Sequence, residues 1–519
     1  FQAEDGIRDV ERSRGLGDVY KRQAVVIAYL AGIMLLGLYF KRFVHSSKDY
    51  FLAGKSLPFW AIGMSIVVSD IGAQDFVGVS GQAYRYGISV GNFDWIGSVP
   101  AMLLGAFIFI PYFWKAGVYT IPEYLGKRYN DYVRTLGAVT WIVFFAFNLG
   151  IVFWASAKLL NTLMGWPYWQ SIIITALVVG VYTFCGGLTA VVLTDVIQMV
   201  IMFVGGAVIV VLGLHAVGGW DGLVDKITAQ GNSHREYFKL IQPVDTKTPF
   251  PWTGILFGLT FVMANAYMIG NQAIVQRCLG AKSEWDAKAS MIWGAFLKMF
   301  IPVLVLFPGL IAIVLHPGLE DGDTAFPLLV KELLPGGWGV VGLMFAALLA
   351  GLMSSIDSML NSTATLWTKD IYERYIKKDA SDQHYLIVGR MATIALLVFG
   401  VLTSRVSQYF EGIYVAIQTF LSFFQGPVFS VLLLGIFWRG TTQWGGLFGL
   451  VGGITVSALL YVFKGYLFAI EDPFLYVSWW SFLAGLVIAV TVSLFTTRHP
   501  DERLYGLVYR LPESPPELA

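Results

Sequence analysis

"VVSDIGAQDFVGVSG", residues 67–81, interrupts a stretch that otherwise has the composition of a membrane-spanning helix. Residues 60–68 are almost entirely apolar, and apolar residues return after position 75. Between them lie two aspartates, a glutamine and a glycine, at Asp70, Gly72, Gln74 and Asp75. A charged side chain at the centre of a membrane helix costs roughly 2.5–3.5 kcal/mol. We therefore interpret the stretch as a functional break in a membrane helix.

The whole chain has the composition of a polytopic membrane protein. Of its 519 residues, 56% are hydrophobic and 13% are charged, against about 25% charged residues in a soluble domain. Apolar runs of 18 or more residues recur, and each can cross a hydrocarbon core of roughly 30 Å as a helix. We predict an all-α fold with about 13 transmembrane helices, at residues 23–43, 56–80, 88–112, 133–162, 168–187, 190–216, 250–276, 287–316, 337–368, 385–404, 410–437, 443–463 and 474–496.

Several classes of function are disfavoured by the composition and by the motifs that are missing. The net charge of +1 gives no reason to expect a nucleic-acid partner. Cys185 and Cys278 lie far apart and form no CxxC motif, so we interpret them as small buried side chains. We find no nucleophile elbow, HExxH motif or P-loop, and we expect no enzyme. The expected partners are a small-molecule solute and the lipid bilayer, with no obligate protein partner.

The sequence divides into three regions. Residues 1–22 have no apolar periodicity and no signal-peptide core, so we expect a non-native or disordered segment, such as translated adapter sequence. Residues 23–497 form the predicted transmembrane domain, with a core at about 56–437. Residues 498–519 are expected to be a short cytoplasmic tail.

Basic residues indicate the orientation of this domain. They concentrate in alternate loops, including 41–57, 112–134, 276–290 with Arg277, and 369–390. Because cytoplasmic loops carry an excess of Lys and Arg, we place these loops in the cytoplasm, the N-terminus outside and the C-terminus inside. The expected location is the cell membrane.

Two of the predicted segments are broken by polar residues. The second breaks around residues 69–74, and the seventh, "FGLTFVMANAYMIGNQAIVQR", breaks around residues 264–271. They are five segments apart, so they enter the membrane from opposite sides. Interrupted helices at corresponding positions of two inverted repeats point to the midplane binding site of a transporter.

Six stretches together resemble the recurrent sequence blocks of the sodium:solute symporter family, and in particular its sodium/sugar cotransporter branch. They span about residues 48–440 in the expected order, and they are "KDYFLAGKSLPFWAIGMS", "GVYTIPEYLGKRYN", "GGLTAVVLTDVIQMV", "NQAIVQRCLGAKS", "AFLKMFIPVLVLFPG" and "MSSIDSMLNSTATLWTKDIYERY". The resemblance implies a LeuT-like core of ten helices in two inverted five-helix repeats, with its first and sixth helices broken. It also implies Na⁺ as the co-transported ion.

The resemblance implies a sodium site next to the first break. It would be formed by the carbonyls of Val68, Ile71 and Gly351 and the hydroxyls of Ser354 and Ser355. The chemistry is suitable, because an unwound helix leaves free the backbone carbonyls that hydrogen bonds occupy in a regular helix. Without the resemblance, a serine pair in a membrane helix more often serves helix packing.

A second cation site is a further possibility. Asp195, Asp357 and Ser358 match positions that members transporting sialic acid use for a second sodium. Two nearby carboxylates repel each other unless they hold a cation or share a proton. The alternative is a buried, hydrogen-bonded pair that locks two helices together.

For the solute, the resemblance implies polar residues from several core helices and an aromatic gate at Tyr267. The predicted solute ligands are Asp70, Asp75, Asp94, Asn265, Lys298 and Gln418. Lys298 and Gln418 match the family directly. The three aspartates replace other polar residues, and Asn265 is one residue out of step. Lys298 could instead pair with Asp94 or Asp75 when the site is empty.

Mixed donors and acceptors suit the hydroxyls of a sugar, whereas an anion would meet up to three carboxylates against one ammonium. We therefore expect a sodium-coupled symporter that imports a neutral sugar or polyol, such as a hexose or inositol, by alternating access. The alternatives are a symporter for sialic acid, an amino acid or a carboxylate, and a transporter-like membrane sensor. A sensor would normally carry a long cytoplasmic signalling domain.

Overall fold

The computed structural model of the protein describes residues 24–25, 27–36, 39–40, 42, 44–231, 236–333, 338–409, 413–509 and 511. Within these ranges every regular element is helical, and the two β-bridges are isolated residue pairs. This confirms the predicted all-α class. Residues 1–22, for which the sequence predicts disorder, lie outside the described residues.

The helices before residue 250 follow the predicted apolar segments except for three short ones, at residues 47–52, 121–128 and 219–228, which lie in predicted loops. They are α1 (Ile27–Leu36), α2 (Ser47–Leu52), α3 (Phe59–Asp70), α4 (Ala73–Tyr86), α5 (Val99–Leu104), α6 (Ile110–Lys115), α7 (Ile121–Arg128), α8 (Asp131–Met164), α9 (Tyr168–Val217) and α10 (Gly219–Thr228). The π-helical turns Phe93–Ser98 and Gly105–Phe109 flank α5. The fifth and sixth predicted segments both lie in α9, which kinks at Gly187, where φ is +55°.

The helices after residue 250 begin with a π-helical stretch, Gly254–Met263, that leads into α11. They are α11 (Ala264–Gly270), α12 (Gln272–Leu279), α13 (Glu284–Lys298), α14 (Ile301–Leu315), α15 (Ala325–Leu333), α16 (Trp338–Leu366), α17 (Asp382–Thr403), α18 (Ile413–Ser422), α19 (Gln425–Phe437), α20 (Gln443–Val462), α21 (Lys464–Leu467) and α22 (Phe474–Leu494). A second π-helical stretch, Trp367–Ile376, continues α16.

Several of these helices can cross a membrane. In the described part of the chain, seven are long and apolar enough, or up to nine if each of two bent pairs is one span. This confirms a polytopic membrane protein, while the total of thirteen spans stays a prediction.

Both predicted helix breaks are present. The first separates α3 from α4 at residues 71–72, and the second separates α11 from α12 at Asn271, with a bend of 49°. A third bend, of 45° between α18 and α19, was not predicted. Because α3 packs against α9, α12, α13 and α16, polar side chains from four helices surround the first break.

Candidate functional site

The break between α3 and α4 redirects the backbone amides around two carbonyls. Ile71 and Gly72 are extended, with φ/ψ of −112°/93° and −94°/−175°. The Gly72 amide donates to Oδ2 of Asp75 at 2.9 Å, and the Asp75 amide donates to the Gly72 carbonyl at 3.0 Å. In an uninterrupted helix these amides would bond to the carbonyls of Val68 and Ile71. The break therefore makes both carbonyls available for other partners.

Two serines of α16 face this break. The Oγ of Ser355 lies 3.2 Å from the carbonyl of Gly351 and 3.3 Å from the carbonyl of Ser69. The hydroxyls of Ser354 and Ser69 are 3.0 Å apart. A Cβ atom at Gly72 would come within 2.5 Å of the Ser355 Oγ. Glycine at this position therefore allows the break to approach α16 closely.

Ser355 and Gly351 thus lie against the break, and all the residues predicted to bind sodium are buried. They contribute hydroxyl and carbonyl oxygens, which are suitable ligands for Na⁺ at an unwound helix. In the described residues, no cluster of three His, Cys, Asp or Glu side chains could hold a metal ion. A site formed by the predicted ligands would bind a cation through neutral oxygens.

A buried arginine lies in the cluster that could hold a second cation. Nη2 of Arg277, on α12, is 3.2 Å from Oδ2 of Asp195 on α9 and 2.5 Å from the Oγ of Ser358 on α16. Its guanidinium also donates to the hydroxyls of Ser65 and Ser69, each at 2.6 Å. The side chains of Arg277 and Asp195 are 1% and 0% exposed. A guanidinium is therefore the charge partner of Asp195.

Arg277 corrects the sequence analysis, which counted it among the basic residues of a cytoplasmic loop. It lies inside α12, two turns after the break at Asn271. Asp357 is also buried, and the Oγ of Ser358 reaches its Oδ1 at 3.3 Å. Asp195 accepts hydrogen bonds from Ser65 and Ser69 of α3 and from Arg277 of α12, and a second cation site at Asp195, Asp357 and Ser358 stays a prediction.

A cavity of about 100 Å³ opens beside the break, with room for several water molecules. Lys298 of α13 lines this cavity and is 2% exposed. It forms salt bridges with Asp70 and, at 2.5 Å, with Asp94. The Ser98 hydroxyl lies 3.4 Å from the same ammonium. A buried ammonium flanked by two carboxylates therefore forms one wall of the cavity.

Most of the predicted solute ligands lie in the cavity wall. These are Asp70, Asp75, Asp94, Lys298 and Gln418, and the predicted gate Tyr267 lies there as well. Lys298 adopts the alternative pairing considered from the sequence, although its second partner is Asp70 instead of Asp75. The Asp75 carboxylate also accepts from the Gly72 amide and so caps α4, a role that the sequence analysis did not assign.

Asn265 is not among the described residues that line the cavity, so its role as a solute ligand stays a prediction. Its Nδ2 donates to the carbonyls of Thr260 and Phe261, at 2.8 and 3.2 Å. The preceding π-helical turns widen the helix and shift its register, so the Asn265 side chain reaches a carbonyl five residues back. Ala264 and Met268 line the cavity wall.

Aromatic residues of the cavity were also missed from the sequence. Phe93 and Tyr414 both line it, and their rings meet edge to face with centroids 5.3 Å apart. Phe93 also packs on Phe250, with centroids 6.0 Å apart. The available signals were that Phe93 adjoins Asp94 and that Tyr414 precedes Gln418 by one helical turn. Such rings can pack against the apolar face of a cyclic solute.

Comparisons with known proteins agree with this geometry. A family model described as the sodium:solute symporter family matches residues 50–453. A sodium/glucose cotransporter of Vibrio parahaemolyticus is 35% identical, over 92% of this chain and 91% of that protein. Sodium/glucose cotransporter 1 of Oryctolagus cuniculus is 32% identical, over 98% of this chain and 84% of that protein.

Solved structures share the fold. A Na⁺-coupled sialic acid symporter in a substrate-bound, outward-open state superposes with a TM-score of 0.82 and 24% identity, covering 92% of this chain and 98% of that one. A nucleobase-cation-symport-1 family transporter superposes with a TM-score of 0.54 and 14% identity, covering 86% and 92%. These similarities support the predicted core of inverted helical repeats.

Proposed function

This chain belongs to the sodium:solute symporter family, and we propose that it imports a neutral polyhydroxylated solute, a sugar or polyol, together with Na⁺ across the cell membrane. The observation that carries this proposal is the position of Lys298. Its ammonium joins Asp70 and Asp94 in a cavity that adjoins the first helix break. The same break borders the serine pair of α16, so one interrupted helix serves both an ion site and a solute site.

The proposed sodium ligands are the carbonyls of Val68, Ile71 and Gly351 and the hydroxyls of Ser354 and Ser355. Support comes from the redirected amides of Gly72 and Asp75 and from the short distances between Ser355 and its neighbouring carbonyls. Bound Na⁺ would hold the break against α16. Because Asp70 lies within the same turn, occupancy of the ion site would also position the Lys298 salt bridges.

The charges in the cavity favour a neutral solute. Three carboxylates and one ammonium line it, so an anionic solute would be repelled. Carboxylates accept hydrogen bonds from hydroxyl groups, while Lys298 and Gln418 donate. The two similar proteins are named as sodium/glucose cotransporters, and glucose is a neutral sugar.

The proposed mechanism is alternating access, with no covalent step and no enzymatic activity. Na⁺ binds first and orders the break, and the solute then binds between Lys298 and the aromatic pair Phe93–Tyr414. Tyr267 closes over the solute. Rocking of the helices opens the opposite side, where low sodium favours release of the ion and then of the solute.

A ligand screen on the purified protein tests this proposal. Thermal midpoints are measured with hexoses, pentoses, inositols, sialic acid and amino acids, in NaCl and in KCl. We expect a neutral sugar or polyol to raise the midpoint in NaCl but not in KCl. A shift with only sialic acid or an amino acid would overturn the proposed solute class.

The Ser355→Ala variant tests the ion site in the same assay. Removing one hydroxyl from the proposed sodium ligands should abolish the sodium-dependent shift. The matched control is Ser362→Ala, the same change at another buried position of α16, for which we expect the shift to persist. Equal behaviour of the two variants would contradict the assignment of Ser355.

A further inference from the structure

A second cavity lies at the end of a predicted span and shares no lining residue with the solute site. Its volume is about 630 Å³, and it is formed by the end of α6, by α7 and by the segment after α22. Among the described residues, those that line it are Lys115, Ala116, Lys127, Arg503, Tyr505, Gly506 and Leu507. We call this cavity the tail pocket. Three of these seven residues are cations, and none is acidic.

The cations of the tail pocket keep much of their exposure to solvent. The side chains of Lys115 and Lys127 are 41% and 42% exposed. Glu284 and Glu123 place carboxylates 3.5 and 3.8 Å from these two ammonium groups, and Nζ of Lys127 also donates to the carbonyl of Ala116 at 2.8 Å. With the described residues, Arg503 makes two long contacts, 3.4 Å to the carbonyl of Tyr129 and 3.5 Å to Nδ1 of His499. The pocket therefore presents a net positive charge to an incoming ligand.

The segment after α22 is a defined part of this pocket. Residues 504–507 form a tight turn, in which the Leu507 amide donates to the Leu504 carbonyl at 3.1 Å. Gly506 has a φ of +70°, a conformation that favours glycine at this position of a turn. The Tyr124 hydroxyl donates to the Leu507 carbonyl at 2.6 Å, and Leu504 is fully buried. The turn is therefore fixed against α7.

Aromatic residues beside the pocket indicate that it lies near the level of the lipid headgroups. Tyr112, one turn before Lys115, lies 6.1 Å from the ring of Tyr509, which lies 5.5 Å from Phe437. Phe437 and Tyr509 remain 44% and 38% exposed. Partly exposed aromatic side chains at the ends of membrane spans typically lie at the membrane–water interface, and basic pockets there bind anionic headgroups.

We propose that the tail pocket binds a phosphate group, presented by the headgroup of an anionic membrane lipid. Lys115, Lys127 and Arg503 would contact the phosphate oxygens, and the aromatic side chains would lie beside the acyl chains. Such binding would hold the segment after α22 on the transporter core. This inference is independent of the identity of the transported solute.

The test measures the thermal midpoint of the detergent-purified chain against phosphatidylglycerol, with phosphatidylcholine as the zwitterionic comparison. The wild-type chain should be stabilised by phosphatidylglycerol and not by phosphatidylcholine. In Lys127→Gln/Arg503→Gln, the phosphatidylglycerol concentration that gives half the stabilisation should rise roughly 10- to 30-fold. Each surface cation strengthens the binding of an anionic lipid about fivefold, and this variant removes two of them. Both positions are exposed, so the variant should fold.

The control variant is Lys377→Gln/Lys378→Gln, which removes two exposed charges outside the pocket. We expect its response to remain within twofold of the wild type. An equal loss in both variants, or none in the pocket variant, would overturn the proposal. If inorganic phosphate alone reproduces the shift, and the pocket variant removes it, the pocket binds phosphate, but its ligand is the soluble ion and not a lipid headgroup.

Discussion

Lys298 is the residue on which the chemistry of the solute cavity depends. Its ammonium is withdrawn from water and faces two carboxylates, Asp70 and Asp94. Removing one partner of a buried ion pair typically costs 3–5 kcal/mol, because an uncompensated charge stays behind. In this cavity the removal of the lysine would leave two carboxylates facing each other.

We therefore predict that Lys298→Gln lowers the free energy of unfolding by about 3 kcal/mol or more and abolishes uptake of the solute. Adding Asp94→Asn should restore part of the lost stability, so the two changes should not be additive. Thermal or chemical unfolding of the two single variants and the double variant measures this coupling. Lys288→Gln, at a lysine on the same helix that is 37% exposed, should change stability by less than about 1 kcal/mol.

Gly72 offers a second test at the residue scale, because its missing Cβ lets the break approach Ser355. An added methyl group would come within 2.5 Å of the Ser355 Oγ. We predict that Gly72→Ala raises the sodium concentration for half-maximal uptake about tenfold or more, equivalent to about 1.4 kcal/mol. In Gly465→Ala, where nothing lies within 4 Å of the added carbon, that concentration should be unchanged. A normal sodium dependence in Gly72→Ala would contradict close contact at the break.

At the scale of elements, Arg277 connects the helices that surround the break. It extends from α12 to Ser65 and Ser69 on α3, to Asp195 on α9 and to Ser358 on α16. Its positive charge occupies the cluster in which a second Na⁺ would have to bind. Two cations so close in a buried site repel strongly. We therefore expect the cluster to couple helices instead of holding an ion.

This interpretation predicts one sodium ion per transport cycle. Initial uptake rates plotted against sodium concentration should follow a hyperbola, with a Hill coefficient near one. A sigmoidal curve with a coefficient near two would contradict the assignment of Arg277 as the permanent partner of Asp195. In that case Asp357 and Ser358 would again be candidates for a second site.

The sequence predicted some elements well for a physical reason. Polar residues inside apolar runs are costly, so the breaks at residues 71–72 and Asn271 could be recognised without coordinates. The bend between α18 and α19 was missed because the residues at its centre, Phe423 and Phe424, are apolar, although Gln425, Gly426 and Pro427 follow directly. The helix face that carries Asn265 could not be predicted from the sequence either, since π-helical turns alter the register that regular helical spacing assumes.

The charged residues of the solute site could be predicted from the sequence, but their ion-pair partners could not. Asp70, Asp94 and Lys298 attract notice because charges are rare in membrane helices. Arg277 did not, because it lies at the apparent edge of a loop with other basic residues. Only the packing of α12 against α3 reveals that its guanidinium is buried.

At the scale of the whole molecule, the distribution of basic loops predicts an orientation that can be measured directly. Lys226 and Lys377 are exposed and should lie on opposite sides of the membrane. In a background without Cys185 and Cys278, a membrane-impermeant maleimide applied to intact cells should label Lys226→Cys and not Lys377→Cys. Permeabilised cells, in which both variants should react, are the control. Labelling of Lys377→Cys alone in intact cells would reverse the orientation.

The central claim is that a sodium gradient drives a neutral polyhydroxylated solute through the site at the first helix break. Uptake into proteoliposomes with an imposed sodium gradient tests it most directly. We predict that a sugar or polyol accumulates above its external concentration only with an inward sodium gradient, and that Ser355→Ala abolishes this accumulation. Equal uptake with potassium in place of sodium, or accumulation of a carboxylate or amino acid with no neutral solute transported, would contradict the account.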